Sequence, residues 1–372
     1  MAENYYHNQY GSKQKRPSFL KIIFRALLIV VSIVASVALI FTLLAPYIKP
    51  SSSWLFPILG LLAPVIYLCN IALALLWIIR WKLWLALGMV AVLVVGAFKI
   101  PYFARMDSKN HYAEQRLRGS IKVLNYNVRH LFNDDGEWSK SDIARYIDSL
   151  SPDIITLQES QPKKMELELS PKLQKYYSDH YKQLSIYSRY KIVKRSSEVR
   201  KEGAHADEVR SHWVDLLIGK DTVRVYNNHL YTTQISSKDD KYLTSRAFVG
   251  DSLAENKVKN IFERFTKSSA FRGDQVDSLS REIRSISHPV IVCGDFNDTP
   301  MSYAFQRMSS GLKDSFRESG FGYPYTYRGF LNLLRIDYIL ASEEFEFLNY
   351  RVDSDITYSD HIPIISTIKL KK

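Results

Sequence analysis

Residues 289–300 read PVIVCGDFNDTP and join an apolar run to a group of polar side chains. The run Pro289–Gly294 predicts a buried strand. Asp295 and Asn297 follow it at once, and carboxylate and amide oxygens can hold a divalent cation or orient a water molecule. A lone carboxylate is costly inside a strand, so such side chains belong at strand ends that converge on a cleft. The segment therefore indicates a candidate site.

Five further apolar runs carry side chains of the same kinds at their ends. These are Asn127 in NYNV, Glu159 in LQES, His229 in NNHL, Asp337 in RIDYIL, and Asp360 with His361 in YSDHIPI. Each signal is weak alone: a single Glu after a strand is more often a solvated cap, and GDFND by itself is compatible with a turn. Asp337 by itself is compatible with an ion pair to Arg335. Together the runs predict one site built from six strand ends.

The elements that would position these side chains alternate between strands and helices. Predicted strands cover Ile121–Val128, Asp153–Gln158, Leu184–Val193, Ser211–Ile218, Thr222–Leu230, Pro289–Gly294, Arg335–Ala341, Phe345–Val352 and Pro363–Lys369. Helices are predicted at Ser141–Leu150 and over most of Thr244–Ile286. So many strands within about 250 residues imply one large α/β core. Mixed strand order favours two packed sheets with helices outside.

The first hundred residues have a different character. Three apolar segments, at about 22–48, 54–79 and 83–100, reach or approach the roughly 20 residues that a membrane-spanning helix needs. They predict three transmembrane helices, with Pro64 able to kink the second. A buried hairpin of a soluble protein is the alternative, and a cleaved signal peptide fits poorly. The predicted organisation is a membrane region at 1–104, a linker at 105–119 and a catalytic domain at 120–372.

Loop charge predicts the orientation of these segments. Basic residues lie before the first segment and between the second and third: Lys13, Lys15, Arg16, Lys21, Arg80 and Lys82. The positive-inside rule places them in the cytoplasm. Three crossings then place the catalytic domain on the outer side, periplasmic or extracellular. An even number of crossings reverses this prediction.

Charge also bears on the partner. Residues 1–100 hold nine of the 50 Lys and Arg residues and one acid, Glu3, and so carry +8 of the formal net charge of +12. The larger region is therefore close to neutral for its size, which argues against a dedicated nucleic-acid enzyme with a broad basic face. The two cysteines, Cys69 and Cys293, lie in different predicted elements and indicate no disulfide framework.

The ordered set NYNV, LQES, NNHL, GDFND, RIDYIL and SDH resembles the endonuclease/exonuclease/phosphatase superfamily, over residues 120–370 and no part of 1–100. The resemblance implies a four-layer α/β/β/α sandwich of two mixed β-sheets, preceded here by an all-α membrane region. It implies hydrolysis of a phosphodiester or phosphomonoester by in-line attack of water, with Mg²⁺ as cofactor and Mn²⁺ as a possible substitute. We found no departure from the family pattern at the quoted motifs.

The resemblance also implies roles for individual residues. Asn127 and Glu159 match the family's metal ligands, and Asp360 matches a carboxylate near the metal. Asp295 and Asn297 match the pair that orients or activates water and holds the phosphate, and His229 matches a phosphate-contacting histidine. His361 matches the general base or its proton-transfer partner. Asp337 matches the carboxylate that fixes the tautomer of that imidazole.

The expected partners are a lipid bilayer and a phosphoester substrate, with no obligate protein partner. A membrane phosphoester is favoured because the tether holds the cleft near lipid headgroups. The aromatic stretch Gly320–Leu334 is compatible with a substrate-facing or lipid-touching loop and also with a packed surface loop. A membrane-tethered nuclease acting on DNA or RNA is one alternative. An inactive membrane-anchored binding module is another, disfavoured by the intact motifs.

Overall fold

The structure, a computed structural model, describes residues 18–106, 119–133, 135–161, 173–196, 211–233, 235, 237–245 and 254–371. Most of the predicted linker, residues 107–118, lies outside the described residues. So do Lys13, Lys15 and Arg16, on which the predicted orientation partly rests.

The N-terminal region is helical. Its helices are α1 (Phe19–Leu44), α2 (Leu55–Leu61), α3 (Ala63–Ile79) and α4 (Leu83–Ala97). Among the described residues, only α1 is by itself long and apolar enough to cross a membrane; α2 and α3 pass that test only as a pair bent by 71°. The prediction of three transmembrane helices is therefore corrected to one long apolar helix, a bent pair and a shorter apolar helix.

Two prolines account for the difference. Pro64, at the start of α3, has no N–H to continue the helical ladder from α2 and disfavours helical backbone in the residue before it. The chain bends there, which confirms the predicted kink. Pro101 lies in a short 3₁₀ turn, Ile100–Tyr102, just beyond the end of α4. The third apolar segment therefore stops short of its predicted end.

The outer surface of these helices is apolar. Only 17% of the most apolar window of α1 is buried. Large side chains such as Phe19, Ile79, Leu87 and Phe98 are each exposed over more than two thirds of their surface. A core helix of a soluble protein is mostly buried, whereas this window of α1 is mostly exposed.

The second region contains two six-stranded sheets. The strands are β1 (Ser120–Asn127), β2 (Ile154–Gln158), β3 (Tyr177–Tyr181), β4 (Leu184–Ser188), β5 (Lys191–Arg195), β6 (Ser211–Ile218), β7 (Asp221–His229), β8 (Val290–Asp295), β9 (Lys313–Asp314), β10 (Asp337–Ala341), β11 (Phe345–Val352) and β12 (Ile364–Leu370). Their order is β11-β12-β1-β2-β4-β3 in one sheet and β5-β6-β7-β8-β10-β9 in the other. Each sheet combines parallel and antiparallel pairs, as predicted.

The helices of this region complete the layers. They are α5 (Lys140–Leu150), α6 (Ser237–Thr244), α7 (Ala254–Arg284), α8 (Tyr303–Met308) and α9 (Ser315–Ser319). Alternation along the strands divides the core: Val123 lies in a cluster shared by both sheets, whereas its neighbour Leu124 packs with Ile143 of α5. On the second sheet Ile291 faces the first sheet and Val292 packs with α7 and α8. The two sheets thus pack face to face with helices outside.

Two predictions about single elements have different outcomes. The predicted strand Leu184–Val193 is two strands, because the chain turns at Arg189–Tyr190 and passes from the first sheet into the second. The predicted hairpin at Gly219–Asp221 is confirmed: β6 and β7 pair directly around Gly219, whose φ of +68° suits a glycine in a tight turn.

Candidate active site

Strand pairing brings the predicted polar residues to one edge of the sandwich. β1 and β2 are parallel, so Asn127 and Glu159 follow the same ends of neighbouring strands. β7 and β8 are also parallel, and His229 lies in register with Asp295. β10 runs antiparallel to β8, so its first residue, Asp337, pairs with Asp295. Each sheet therefore contributes residues to the same edge.

Asn127 links the two sheets at this edge. Its Nδ2 donates to Oδ2 of Asp295 at 3.0 Å and lies 3.3 Å from Oε1 of Glu159. Its backbone carbonyl accepts a hydrogen bond from the Ser359 hydroxyl, at the start of the SDH motif. His229 completes the group, with Nε2 at 3.7 Å from both the Glu159 and the Asp295 carboxylates. Four predicted residues thus form one cluster.

His361 and Asp337 form a second part of the same site. Nδ1 of His361 lies 2.9 Å from Oδ2 of Asp337, and its Nε2 lies 3.7 Å from Oδ2 of Asp295. Burial acts to lower the pKa of His361, but the charges of Asp337 and Asp295 outweigh it and raise that pKa well above its ordinary value. The ring of Tyr327 packs against the His361 ring with centroids 5.2 Å apart. The imidazole is therefore fixed on two sides.

Asp295 is almost fully buried at the junction of these groups. Burial raises its pKa, and the charges of His361 and His229 oppose that shift. Its Oδ1 accepts a hydrogen bond from the backbone N–H of Asn297 at 2.8 Å, and Nδ2 of Asn297 donates to the Leu230 carbonyl. Asn297 and Glu159 both have positive φ, 51° and 50°. Backbone in this sparsely populated region is concentrated at functional sites.

Asp360 lies at the margin of the site. Its Oδ2 is 3.4 Å from Nε of Arg129, and Oδ1 lies 3.3 Å from the Ser359 hydroxyl. No contact between Asp360 and Glu159 or Asn127 is present among the described residues, although Asp360 lines the same cavity as Glu159. The structure thus places Asp360 within the site but apart from the central cluster.

Sequence reasoning missed three contributors. Arg129 and His130 form a tight turn after β1 with φ of 43° and 54°, and Nε2 of His130 lies 3.2 Å from Oε2 of Glu159. Tyr327 belongs to the aromatic stretch Gly320–Leu334, for which the sequence leaves a substrate-facing, a lipid-touching and a packed surface loop open. The basic pair Arg129–His130, which follows Asn127 after Val128, was the available signal for the turn.

The donor chemistry suits a hard cation. The Asn127 amide faces the Glu159 and Asp295 carboxylates through its Nδ2, while its Oδ1 accepts a hydrogen bond from the Arg129 N–H. A flip of this amide would turn Oδ1 toward the Glu159 carboxylate, and amide and carboxylate oxygens are the ligands that Mg²⁺ prefers. Asp295, Asp337 and His361 also offer ligand atoms within 4.8 Å of one another. In that second set, the Asp337 carboxylate is already bonded to Nδ1 of His361, which leaves neither of these two atoms available to a metal ion. The residues present therefore fit a metal at the Asn127 and Glu159 side.

A cavity of about 220 Å³ gives access to these groups. Its polar lining comprises Glu159, Thr232, Thr233, Asp295, Asn297, Asp298, Thr299, Tyr327, Asp360 and His361. The apolar lining comprises Leu61, Ile235, Phe265, Phe330, Leu334 and Ile336. Leu61 belongs to the N-terminal region, so both regions of the chain form this cavity.

Asp298, which has no role predicted from the sequence, holds the loop beside the site. It accepts a hydrogen bond from Nε of the fully buried Arg272 at 3.2 Å, and its carbonyl accepts one from the Tyr338 hydroxyl. Burial raises the pKa of Asp298, opposed by the Arg272 charge. This buried ion pair fixes residues 298–301, which follow the GDFN motif.

The face-to-face sheets and the polar groups at their shared edge define an α/β/β/α sandwich of the kind that carries phosphoesterases. Residues 124–361, more than half of the chain, match the endonuclease/exonuclease/phosphatase family, and the chain belongs to that family. Residues 25–103 match a separate family described as a domain of unknown function.

Several solved structures are similar to this chain, two of them described as endonuclease/exonuclease/phosphatase proteins. A protein from Beutenbergia cavernae is 17% identical, with a TM-score of 0.45 over 68% of this chain and 72% of that one. One from Bacteroides vulgatus is 16% identical, with a TM-score of 0.46 over 68% and 99%. A mannosyl-6-phosphatase from Bacteroides thetaiotaomicron is 21% identical, with a TM-score of 0.44 over 67% and 99%. No curated protein matches the sequence.

Proposed function

We propose that this protein is a membrane-anchored, divalent-metal-dependent phosphoesterase that hydrolyses its substrate by in-line attack of water. One observation carries the proposal: the His361–Asp337 pair, Asp295 and the Asn127–Glu159 pair line or adjoin a single cavity of about 220 Å³. The groups for proton transfer, phosphate positioning and metal binding are therefore close enough together to act on one phosphate group. The intact set argues against an inactive binding module.

His361 is the proton-transfer group in this scheme. In its neutral form Nε2 takes a proton from the attacking water while Asp337 holds the proton at Nδ1. Asp337 and Asp295 then stabilise the imidazolium, which is the form that their charges favour. The water oxygen bonds to phosphorus and the ester P–O bond breaks. The leaving oxygen receives a proton from solvent water, and the imidazolium then returns its proton to solvent. Asp295 and Asn297 position the water and the phosphate.

The remaining polar residues would stabilise negative charge on the phosphate or bind the metal ion. Nε2 of His229 lies 3.7 Å from the Glu159 and Asp295 carboxylates, and as a donor it would stabilise negative charge that develops on a phosphoryl oxygen. Asn127 and Glu159, with Asp360 nearby, would hold Mg²⁺ or Mn²⁺. The metal ion, when bound, neutralises negative charge on the phosphate and the leaving oxygen.

A membrane phosphoester, such as a lipid headgroup, is the favoured substrate. The supporting observation is that α1 exposes an apolar surface long enough to cross a bilayer, which would hold the cavity near headgroups. A tethered nuclease acting on DNA or RNA is the second candidate, favoured by the basic pair Arg129 and His130 beside Glu159. We further propose a cytoplasmic N-terminus and a catalytic domain on the outer side.

The substrate test is hydrolysis by the purified full-length protein in detergent with Mg²⁺. Single- and double-stranded DNA are offered beside phospholipid and sphingolipid vesicles, with His361→Ala as the blank. Cleavage of lipid alone is expected; cleavage of DNA alone contradicts the lipid assignment and makes the protein an anchored nuclease. Alkaline phosphatase fused after Lys372 tests orientation: activity of the fusion supports the outer side, and its absence together with cytosolic reporter activity contradicts it.

A further inference from the structure

The bend between α2 and α3 lies beside the loop at residues 298–301, which follows the GDFN motif. We name residues 60–64 the elbow. Pro64 has no N–H to donate to the carbonyl of Gly60, four residues earlier, and that carbonyl instead accepts a hydrogen bond from the Thr299 hydroxyl at 3.2 Å. Thr299 is two residues beyond Asn297 and lies next to Asp298, which the buried Arg272 holds. The elbow thus bonds to the loop that follows the GDFN motif.

The approach of the two backbones is close. A Cβ added to Gly60 would lie 2.7 Å from the carbonyl oxygen of Met301, so only glycine permits this contact. A tight crevice beside it is lined by Ala63, Pro64, Pro300 and Met301, among others. The elbow therefore fits the catalytic domain and is not merely tethered near it.

Leu61 carries this contact into the active-site cavity. It lines the same cavity as Asp295 and His361, together with the apolar side chains Phe265, Phe330 and others. Phe330 belongs to a short turn, residues 330–332, in which three successive residues have positive φ and Leu331 is 71% exposed. We name residues 330–334 the lip. Leu61 of the elbow and Phe330 and Leu334 of the lip together give the cavity an apolar wall.

The composition of the cavity favours one kind of ligand. Among the described residues that line it, none is Lys or Arg, whereas six are large apolar side chains. A nucleic-acid backbone is bound chiefly through cationic side chains, and an apolar wall offers it little. A hydrocarbon chain gains free energy in proportion to the apolar area that it buries.

We propose that the elbow is part of the substrate site: Leu61 and the lip contact the hydrocarbon chain of a phospholipid from the bilayer that holds the N-terminal helices, while its phosphoester reaches His361 and Asp295. This inference rests on the proposed phosphoesterase function. It makes Leu61 a specificity-determining residue for a substrate with a long hydrocarbon chain.

The test compares two synthetic diesters, p-nitrophenyl hexadecyl phosphate and p-nitrophenyl ethyl phosphate, hydrolysed by the full-length protein in the same detergent micelles with Mg²⁺. The measured quantity is the ratio of kcat/KM for the hexadecyl ester to that for the ethyl ester. Wild type is expected to favour the hexadecyl ester at least about tenfold. Leu61→Asn is expected to lower this ratio about tenfold, the effect of withdrawing roughly two methylene groups from apolar contact.

Two further variants separate pocket contact from other effects. Leu61→Ala keeps the site apolar and should lower the ratio less than Leu61→Asn. Leu87→Asn changes an exposed leucine of α4 that does not line the cavity, and should leave the ratio unchanged. Equal loss in Leu87→Asn and Leu61→Asn overturns the inference, because micelle partitioning then explains the preference. Hydrolysis of both esters without chain preference overturns it too but leaves the proposed function standing; hydrolysis of neither overturns both.

Discussion

The two regions of this chain place their apolar side chains in opposite directions. In the sandwich, residues such as Val123 and Ile291 are fully buried between the sheets. In the N-terminal helices, residues such as Leu87 and Phe98 face outward. The difference shows that the N-terminal helices, unlike the sandwich, leave much of their apolar surface uncovered by the described part of the chain. The site lies where they meet, with its polar groups from the sandwich and part of its apolar wall from the elbow.

This comparison assigns the proton-transfer and metal-binding residues to the sandwich alone. Substitution of His361 is the test with the largest expected effect. His361→Ala is expected to lower kcat/KM about 10²–10⁴-fold, because it removes the proton-transfer group. The matched control is His288→Ala, since His288 precedes β8 at the end opposite Asp295. Turnover of a phosphodiester by both purified variants is the measurement. Loss of turnover in His288→Ala, or retention in His361→Ala, contradicts the assignment.

The next largest expected effect is a loss of folding stability when the buried ion pair between Arg272 and Asp298 is broken. Arg272→Leu leaves the Asp298 carboxylate buried without its partner and is expected to lower the free energy of unfolding by about 3–5 kcal/mol. Arg281→Leu, on an exposed position of the same helix, should change it by less than about 0.5 kcal/mol. Thermal unfolding of both variants is the measurement. Similar midpoints for the two would mean that Asp298 does not depend on Arg272.

Gly60→Ala tests the junction between the regions. Alanine is the better helix former, but its Cβ would meet the Met301 carbonyl, so a net loss of about 1–2 kcal/mol is expected. Turnover should fall with it, because the loop beside Asn297 must move. Gly88→Ala in α4 is the control, since nothing lies within 4 Å of its added Cβ. A stable, fully active Gly60→Ala protein would show that the close contact between the elbow and Met301 is not needed for stability or turnover.

The smallest expected effect is on stability and comes from ion pairs between the N-terminal region and α7. Lys49 lies 2.8 Å from both Asp274 and Asp277. Burial acts to raise the pKa of Asp277, but hydrogen bonds from Lys49 and Tyr303 outweigh it and lower that pKa. Because the folded pKa lies below the unfolded one, this contribution is present above about pH 4 and is lost as the pH falls through the lower folded value.

Lys49→Met should therefore lower the thermal midpoint at pH 6 by the equivalent of about 0.2–1 kcal/mol. The gap between the variant and wild type should narrow as the pH approaches 3. Lys82→Met, on a partly exposed lysine between α3 and α4, is the control. A gap that widens at low pH would show that the stabilisation does not come from this ion pair.

Much of the sandwich and of its site was predictable, because both depend on local signals. Apolar runs that stop at Asp295 or Glu159 mark strand ends, and parallel pairing then brings such ends together. The strand break at Arg189–Tyr190 was not predictable, since the run is continuous in β-forming residues while the chain changes sheets. The burial of Asp295 and His361 also depends on packing across both sheets.

The junction was beyond sequence reasoning. Leu61 reaches the site because Pro64 bends the chain and the Gly60 carbonyl bonds to Thr299, which is 239 residues away in sequence. The hydrophobic periodicity of a segment is a local signal and does not indicate a contact between residues so far apart in sequence. His130 was missed for a related reason: its position depends on positive φ values in the turn after Asn127, and nothing in the alternation of β1 indicates that turn.

The central claim, one metal-dependent hydrolytic site at the shared edge of the two sheets, is tested most directly by a magnesium titration of turnover. Hydrolysis of bis(p-nitrophenyl) phosphate by the full-length protein is followed after EDTA treatment as Mg²⁺ is restored, in wild type and in Glu159→Gln. The account predicts that EDTA abolishes turnover, that Mg²⁺ restores it saturably, and that Glu159→Gln raises the half-saturating concentration at least about tenfold. Turnover that survives EDTA, or an unchanged half-saturating concentration in Glu159→Gln, would contradict it.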